Sequence, residues 1–121
     1  MSAARVTPVD QAPAYQPPLH NNVEARRLQG LEAGPTEAFW TGWSDYAPGG
    51  AAAESPVLQE AVYVVVDGEL TVTVGGTSHV LRRGDSVHLP KGTVRSVENR
   101  SNAQASLLVT FAIPRTSEGP A

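Results

Sequence analysis

Side chains that can carry acid–base or metal chemistry are sparse in this chain. It contains no cysteine and three histidines, His20, His79 and His88. His88 is the best candidate for a general acid or base, because the unperturbed pKa of imidazole lies near neutrality. That role requires His88 to face inward; if Val87 and Leu89 face inward instead, His88 is an outward, structural residue. We predict that His20 and His79 are surface or singly hydrogen-bonded residues, so the three imidazoles do not converge on a metal ion.

The sequence around these residues has the pattern of short β-strands. The segment 69–74 alternates apolar and polar side chains, which is typical of a strand with one buried face. The segment 61–66 is rich in β-branched residues, and Gly75-Gly76 predicts a hairpin turn. With 11 Gly and 10 Pro among 121 residues, the composition favours many short strands joined by turns. About seven or eight strands predict an antiparallel sandwich or barrel, and propensity alone does not choose between the two.

A glycine–proline pattern between residues 84 and 99 makes that choice. Gly84 is followed after five residues by Pro90-Lys91-Gly92, then after two residues by Arg95 and after three more by Asn99. This spacing resembles the second sequence motif of the cupin superfamily, in which a histidine stands at the position of Arg95. The first cupin motif fits residues 49–68, with Gly49 and Gly68 as its terminal glycines. Its three ligand positions fall on Ser55, Val57 and Ala61.

The resemblance extends over about residues 38–114 and implies an all-β, single-domain protein, an RmlC-like jelly-roll barrel (double-stranded β-helix). We divide the chain into an extended N-terminal arm (1–20), the cupin barrel (21–114) and a flexible C-terminal tail (115–121). Within the barrel, the segment 21–31 is predicted to form either a strand pair or one helical turn. Cupins usually cover one sheet with a second copy, so a homodimer is expected, with the proline-rich arm as a candidate to wrap the partner.

The metal site of the family requires about three imidazoles and one carboxylate, which suit a transition metal. In this chain the four positions offer one hydroxyl, two apolar side chains and the guanidinium of Arg95, which has no lone pair to give. A one-residue slip would bring Glu60 to the carboxylate position, but no histidine would lie beside it. We therefore predict a degenerate motif that holds no metal, and no other cofactor.

Arg95 is the residue on which the functional hypotheses depend. Family geometry points Arg95 and Ala61 into the barrel, and the strand period of two then places Tyr63 on the same inner face. One alternative is that Arg95 pairs with a buried carboxylate such as Glu60 and ties two strands together. The other is that its guanidinium binds a carboxylate, phosphate or enolate of a ligand. Tyr63 would then orient the ligand or supply a proton.

Two tryptophans precede the first motif and complete the predicted site. Trp40 and Trp43 are three residues apart, so on a regular strand they face opposite sides. One lines the pocket and the other packs in an interface, and we assign Trp43 to the pocket. The predicted ligand-binding set is Arg95, Tyr63, Trp43 and Glu60, and the candidate catalytic residues are His88 and Tyr63.

Three functions follow from these residues. The first is a metal-free protein that binds a small, anionic organic molecule in the barrel pocket. The second is a metal-independent isomerase, epimerase, cyclase or lyase that uses Arg95 with Tyr63 or His88. The third is a non-catalytic structural protein with a collapsed pocket. An open cavity that brings Arg95 and His88 to one point favours the enzyme, and one that contains Arg95 alone favours binding.

Charge and hydropathy bear on the partners and the location. The formal net charge is −3, and positive and negative residues are interspersed, without the basic patch of nucleic-acid-binding proteins. No apolar stretch approaches the roughly 20 residues of a membrane-spanning helix, and the N-terminus lacks the pattern of a signal peptide. We expect a cytoplasmic protein with a small-molecule ligand and no nucleic-acid or membrane partner.

Overall fold

The structure is a computed structural model and describes residues 4–114. In this range nine β-strands are joined by turns and by two 3-10 helices, Val9–Gln11 and Leu31–Ala33. The strands are β1 (Ala14–Tyr15), β2 (His20–Gln29), β3 (Phe39–Pro56), β4 (Ala61–Asp67), β5 (Glu69–Val74), β6 (Thr77–Arg82), β7 (Ser86–Leu89), β8 (Val94–Glu98) and β9 (Ala105–Ala112). The predicted all-β class is confirmed.

The long strand β3 joins the two layers of the barrel. It is 18 residues long and pairs with different neighbours along its length. Its first half pairs antiparallel with β9, and its second half pairs with β8. The strand order is β6-β5-β8-β3-β9-β4-β7, with β2 on the other edge of β3. This is a jelly-roll arrangement, and the hydrophobic core lies between the layers.

The inner wall of the barrel is set by alternation along β4 and β8. Ala61 and Tyr63 are buried, whereas Val62 between them is 39 % exposed. In β8, Arg95 and Val97 are buried while the residues between and beside them are more exposed. A strand period of two produces this pattern. The prediction that Tyr63 and Arg95 share the inner wall is confirmed.

The segment 21–31 does not form the predicted strand pair or helical turn. Residues 20–29 are one strand, β2, which pairs with β3 on one edge and with β1 on the other. Its burial alternates poorly, which explains why its sequence shows no clear period of two. The arm lies along the barrel of its own chain: Ala12 is buried, and its carbonyl accepts a hydrogen bond of 3.0 Å from Arg26.

Several predictions concern residues outside 4–114, a second copy of the chain or the cellular location, and the structure does not test them. The C-terminal tail (115–121) and the first three residues of the arm lie outside the described residues. The homodimer, the wrapping of a partner by the arm and the cytoplasmic location stay predictions. Within residues 4–114, no helix has the length and hydropathy needed to cross a membrane.

The glycines of the two motifs stand where the backbone takes left-handed conformations. Gly49, Gly68, Gly84 and Gly92 have φ values of 81°, 73°, 90° and 88°, a region that residues with a Cβ rarely adopt. Asn99 is the last residue of the second motif, and its buried side-chain amide donates hydrogen bonds to the carbonyl groups of Tyr46 (2.9 Å) and Ala103 (2.8 Å). The motif residues therefore shape the turns that hold the strands, and they persist without the metal ligands.

Gly68→Ala is expected to destabilise the barrel more than the matched variant Gly76→Ala. Both glycines have positive φ, 73° and 79°, so each variant carries about 1–2 kcal/mol of backbone strain. At Gly68 a Cβ would also lie 2.7 Å from the Gln104 carbonyl oxygen, whereas at Gly76 it would meet nothing within 4 Å. Such overpacking adds about 1–3 kcal/mol. Chemical denaturation of both variants measures the difference, and equal losses would contradict this account of the turn.

Candidate functional site

A cavity of about 500 Å³ lies inside the barrel. Side chains of β3, β4, β8 and β9 form its inner wall, and the arm segment 15–18 together with His20 forms another part of its lining. Most of the wall is aromatic or aliphatic, with a few polar groups among them, which is the usual composition of a small-molecule site. The open cavity differs from the collapsed pocket of the third hypothesis.

Arg95 is the most strongly buried charged group of this cavity. Only 8 % of it is exposed. Its Nε donates to the Tyr63 hydroxyl oxygen at 3.0 Å, and its Nη1 donates to Ser55 Oγ at 3.0 Å and to the Ala53 carbonyl at 3.2 Å. Ser55 and Arg95 are also direct partners across β3 and β8. Nη2 donates to none of residues 4–114.

The partners of Arg95 are neutral. Among the described residues, none that lines the cavity is Asp or Glu, and no ion pair involves Arg95. Removing an ion from water is costly, so a buried guanidinium usually pairs with a carboxylate. The alternative in which Arg95 ties two strands through Glu60 is therefore wrong. The cavity instead contains a positive charge that no carboxylate of residues 4–114 neutralises.

The residues at the family's metal positions do not fit a metal ion. Ser55, Val57 and Arg95 line the cavity, and Ala61 is buried nearby on β4. One hydroxyl, two apolar groups and a cation cannot replace imidazoles and a carboxylate. In the part of the chain that the structure describes, no cluster of three His, Cys, Asp or Glu side chains could hold a metal. The absence of a bound metal in the protein stays a prediction.

An aromatic wall lines another part of the cavity. The ring of Trp40 stacks on Phe111 at a centroid distance of 4.8 Å and an interplanar angle of 16°, and meets the edge of Tyr15 at 6.1 Å. The Arg27 guanidinium lies 3.6 Å from the ring centre of Tyr15 and 4.2 Å from that of Trp40. Arg27 also forms a 2.9 Å ion pair with Glu32. Because β2 and β9 pair with opposite edges of β3, Arg27 and Phe111 cover opposite faces of the Trp40 ring, and a ligand can contact only the edge of that ring.

Burial keeps two phenols of the cavity, those of Tyr15 and Tyr46, protonated near neutral pH. Burial raises the pKa of Tyr46 above its ordinary value. Burial also raises the pKa of Tyr15, although the positive charge of Arg27 opposes that effect. Desolvation disfavours the charged phenolate in both cases. The fixed charges of the lining therefore come from Arg95 and Arg27.

The structure places two predicted site residues, His88 and Glu60, outside the cavity. Val87 and Leu89 are the more buried residues of β7, so His88 points outward and its side chain is 55 % exposed. Its Nε2 lies 2.6 Å from a carboxylate oxygen of Glu60. The two residues form a pair on the surface. This geometry contradicts the predicted catalytic role of His88 and the predicted ligand-binding role of Glu60.

The tryptophan that lines the cavity is Trp40 and not Trp43. Along β3 the even-numbered residues Gly42, Ser44 and Tyr46 are buried, and the side chain at position 40 shares their face. Trp43 lies on the other face, where its indole N–H donates to Asp45 at 2.9 Å. The prediction that the two tryptophans face opposite sides is confirmed, but the assignment of Trp43 to the pocket is wrong.

Sequence reasoning also missed His20 as a lining residue. Its Nδ1 lies 2.8 Å from the Pro18 carbonyl oxygen, and its ring lies 6.5 Å from that of Tyr46. Burial lowers the pKa of His20, and the charge of Arg95 adds to this effect. Its position depends on the path of the arm, for which the sequence carries no periodic pattern.

Comparison with known proteins agrees with this architecture. A family model described as a cupin domain matches residues 42–111. The chain belongs to the cupin superfamily. This cupin is 56 % identical over 110 residues to the protein named β-D-galactosidase Rv1717 of Mycobacterium tuberculosis (strain ATCC 25618 / H37Rv), and the match covers 91 % of this chain and 95 % of that protein.

Solved structures with the same fold are more distant in sequence. The polyketide cyclase RemF from Streptomyces resistomycificus superposes with a TM-score of 0.81 at 14 % identity, over 94 % of this cupin and 82 % of that chain. An RmlC-like cupin from Shewanella frigidimarina gives a TM-score of 0.75 at 18 % identity, over 95 % and 96 % of the two chains. At these identities the likeness shows the fold alone.

Proposed function

We propose that this cupin binds a small, negatively charged sugar derivative in its barrel cavity, without a metal, and that Arg95 anchors the anionic group. The observation that carries the proposal is the buried guanidinium of Arg95, whose three hydrogen-bond partners are neutral. A carboxylate or phosphate that enters the cavity would accept bonds from the unused Nη2 and offset the cost of burying the charge.

The aromatic wall and the sequence relative support a sugar as the ligand class. A pyranose ring has an apolar face that can pack against an apolar wall such as the one that includes the edge of Trp40, and its hydroxyls need hydrogen-bond partners such as Ser44 and Gln59. All three of these residues line the cavity. The relative that is 56 % identical to this cupin carries the name β-D-galactosidase, which favours a galactose derivative.

Metal-independent hydrolysis of a β-D-galactoside is the second candidate, and the name of that relative favours it. The Tyr63 oxygen accepts a hydrogen bond from Arg95 Nε, so its own O–H is left to donate to a glycosidic oxygen. Most glycosidases use two carboxylates, and the described lining residues include none. Proton donation would therefore depend on Tyr63, as it would in an isomerase, epimerase, cyclase or lyase on this site.

Three sugars that differ only at C6 test the proposal: galactose, galacturonate and galactose 6-phosphate. In calorimetric titrations of wild-type protein at low salt, we expect galacturonate to bind at least about tenfold more tightly than galactose, because only the acid meets Arg95 with a charge. Equal affinity of galactose and galacturonate would contradict the anionic part of the proposal. Near-stoichiometric iron, manganese, nickel or zinc in untagged protein would contradict its metal-free part.

Release of nitrophenol from nitrophenyl β-D-galactoside tests the second candidate. The assay uses chelator-treated wild-type protein, with Tyr63→Phe as the variant that keeps the ring and removes the proton donor. Hydrolysis that persists after chelation and falls about 100-fold in the variant is the expected result for this candidate. Hydrolysis that disappears on chelation, or that is unchanged in the variant, would exclude it.

A further inference from the structure

The N-terminal arm turns beside the cavity and brings a histidine into it. β1 pairs with β2, with Tyr15 opposite Ala25, so the chain between the two strands reverses its direction. Within this turn Leu19 has a φ of 61°, and its carbonyl accepts a 2.8 Å hydrogen bond from the Ala53 amide. A left-handed, non-glycine residue persists only where the surrounding structure holds it. The turn thus fixes His20 in the lining.

The hydrogen bond from His20 to Pro18 selects one tautomer of the ring. The Pro18 carbonyl oxygen can only accept a hydrogen bond, so Nδ1 of His20, 2.8 Å away, must carry the proton. In the neutral ring Nε2 then has a free lone pair. A backbone carbonyl that fixes the tautomer in this way is a common device for histidines that act through their other nitrogen.

The surroundings of His20 favour the neutral ring. The titratable or charged side chains that line the cavity with His20 are Tyr15, Arg27, Tyr46, Tyr63 and Arg95. They include two cations and, among the described residues, no carboxylate. Burial lowers the pKa of His20 first, the charge of Arg95 lowers it further, and only the Pro18 hydrogen bond opposes the shift. The ring is therefore a neutral base next to a permanent positive charge.

We propose that His20 is a second ligand-binding residue of the cavity and that its Nε2 takes up a proton when an anionic ligand binds. This inference rests on the proposed function, because the carboxylate of the bound sugar derivative is what favours the imidazolium. The proton comes from the solvent: an O–H bond of a hydronium ion breaks and leaves water, and an N–H bond forms on Nε2. The imidazolium and the guanidinium of Arg95 then both face the carboxylate, and the proton returns to water when the ligand leaves.

Nuclear magnetic resonance of wild-type protein with ¹⁵N-labelled histidine tests the base directly and needs no variant. In the ligand-free protein we expect His20 as the Nδ1–H tautomer, with a pKa below the ordinary value of histidine. Galacturonate should raise the midpoint of His20, because the anion stabilises the imidazolium. By linkage, galacturonate should bind about tenfold more tightly at pH 5 than at pH 8. An Nε2–H tautomer in the ligand-free protein would overturn the inference by itself.

Two matched variants separate this inference from the proposed function. His20→Gln can still donate to Pro18 but takes no proton in this pH range, so the tenfold pH dependence should disappear. His79→Gln is the surface control and should keep it. Persistence of the pH dependence in His20→Gln overturns the role of His20 while the proposed function stands. A wild-type protein that binds galacturonate at no pH overturns the proposed function. The tautomer and the titration midpoint of His20 in the ligand-free protein then decide the inference.

Discussion

Arg95→Met is expected to weaken galacturonate binding by at least about 100-fold and to leave the barrel as stable as the wild type or more so. The variant removes the charge-assisted hydrogen bonds to the carboxylate, which are worth about 3 kcal/mol in a desolvated site. It also replaces a buried cation that no carboxylate of residues 4–114 neutralises by an apolar side chain of similar length. The desolvation cost that disappears with the charge offsets the lost hydrogen bonds to Tyr63, Ser55 and Ala53. Galactose should bind the variant and the wild type almost equally.

Arg100→Met is the matched control for this prediction. Arg100 carries the same charge on the surface, in an exposed 3.0 Å ion pair with Glu98. Exposed pairs of this kind contribute roughly 0–1 kcal/mol, so the control should keep both its fold and its preference for galacturonate. Titration calorimetry gives the affinities, and thermal denaturation gives the stabilities. A large loss of stability in Arg95→Met, with unchanged preference for the acid, would mean that Arg95 is structural.

Trp40→Ala is expected to weaken the binding of galactose and galacturonate alike, by about 30-fold. The variant removes the ring against which Phe111 and Arg27 pack, and a sugar face packed against the intact wall buries roughly 80 Å² of apolar surface, which corresponds to about 2 kcal/mol. The loss should not depend on the charge at C6, because the aromatic wall carries no anion-binding group apart from Arg27, which Glu32 already neutralises. Trp40→Ala should therefore leave the ratio of the two affinities unchanged, whereas Arg95→Met should lower the preference for galacturonate.

The second tryptophan of the chain provides the control. Trp43 lies on the outer face of β3, where its indole N–H contacts Asp45, and it is absent from the cavity lining. Trp43→Ala removes the same volume from the same strand and should leave both affinities within about twofold of the wild type. If Trp43→Ala weakens binding as much as Trp40→Ala does, the effect is a general loss of stability and the aromatic wall has no role.

The fold could be predicted from the sequence because its turns depend on single residues. Gly68 and Gly84 stand where the backbone φ is positive, and Asn99 caps a turn through two carbonyl groups. These requirements are local and independent of the metal, so the motif can be recognised in a sequence that lacks the metal-ligating residues. Arg95 and Tyr63 could be placed on one wall for a related reason: the face on which a side chain lies follows from its position in its own strand, whatever the partner strand is.

The rest of the site depends on register and chain path, which the sequence does not encode locally. The pairing of Glu60 with His88 follows from the alignment of β4 and β7. The segment 39–46 carries a tryptophan on each face, so its inner face cannot be recognised from hydropathy. His20 reaches the cavity through a turn at Leu19 with a left-handed backbone, a conformation that leucine rarely adopts.

A crystal structure of the wild-type protein with galacturonate tests the central claim most directly. We predict the carboxylate of the sugar within about 3 Å of the Arg95 guanidinium, with the pyranose ring packed against Trp40. Density for galacturonate in the cavity with its carboxylate turned away from Arg95, or only outside the barrel, would contradict the account.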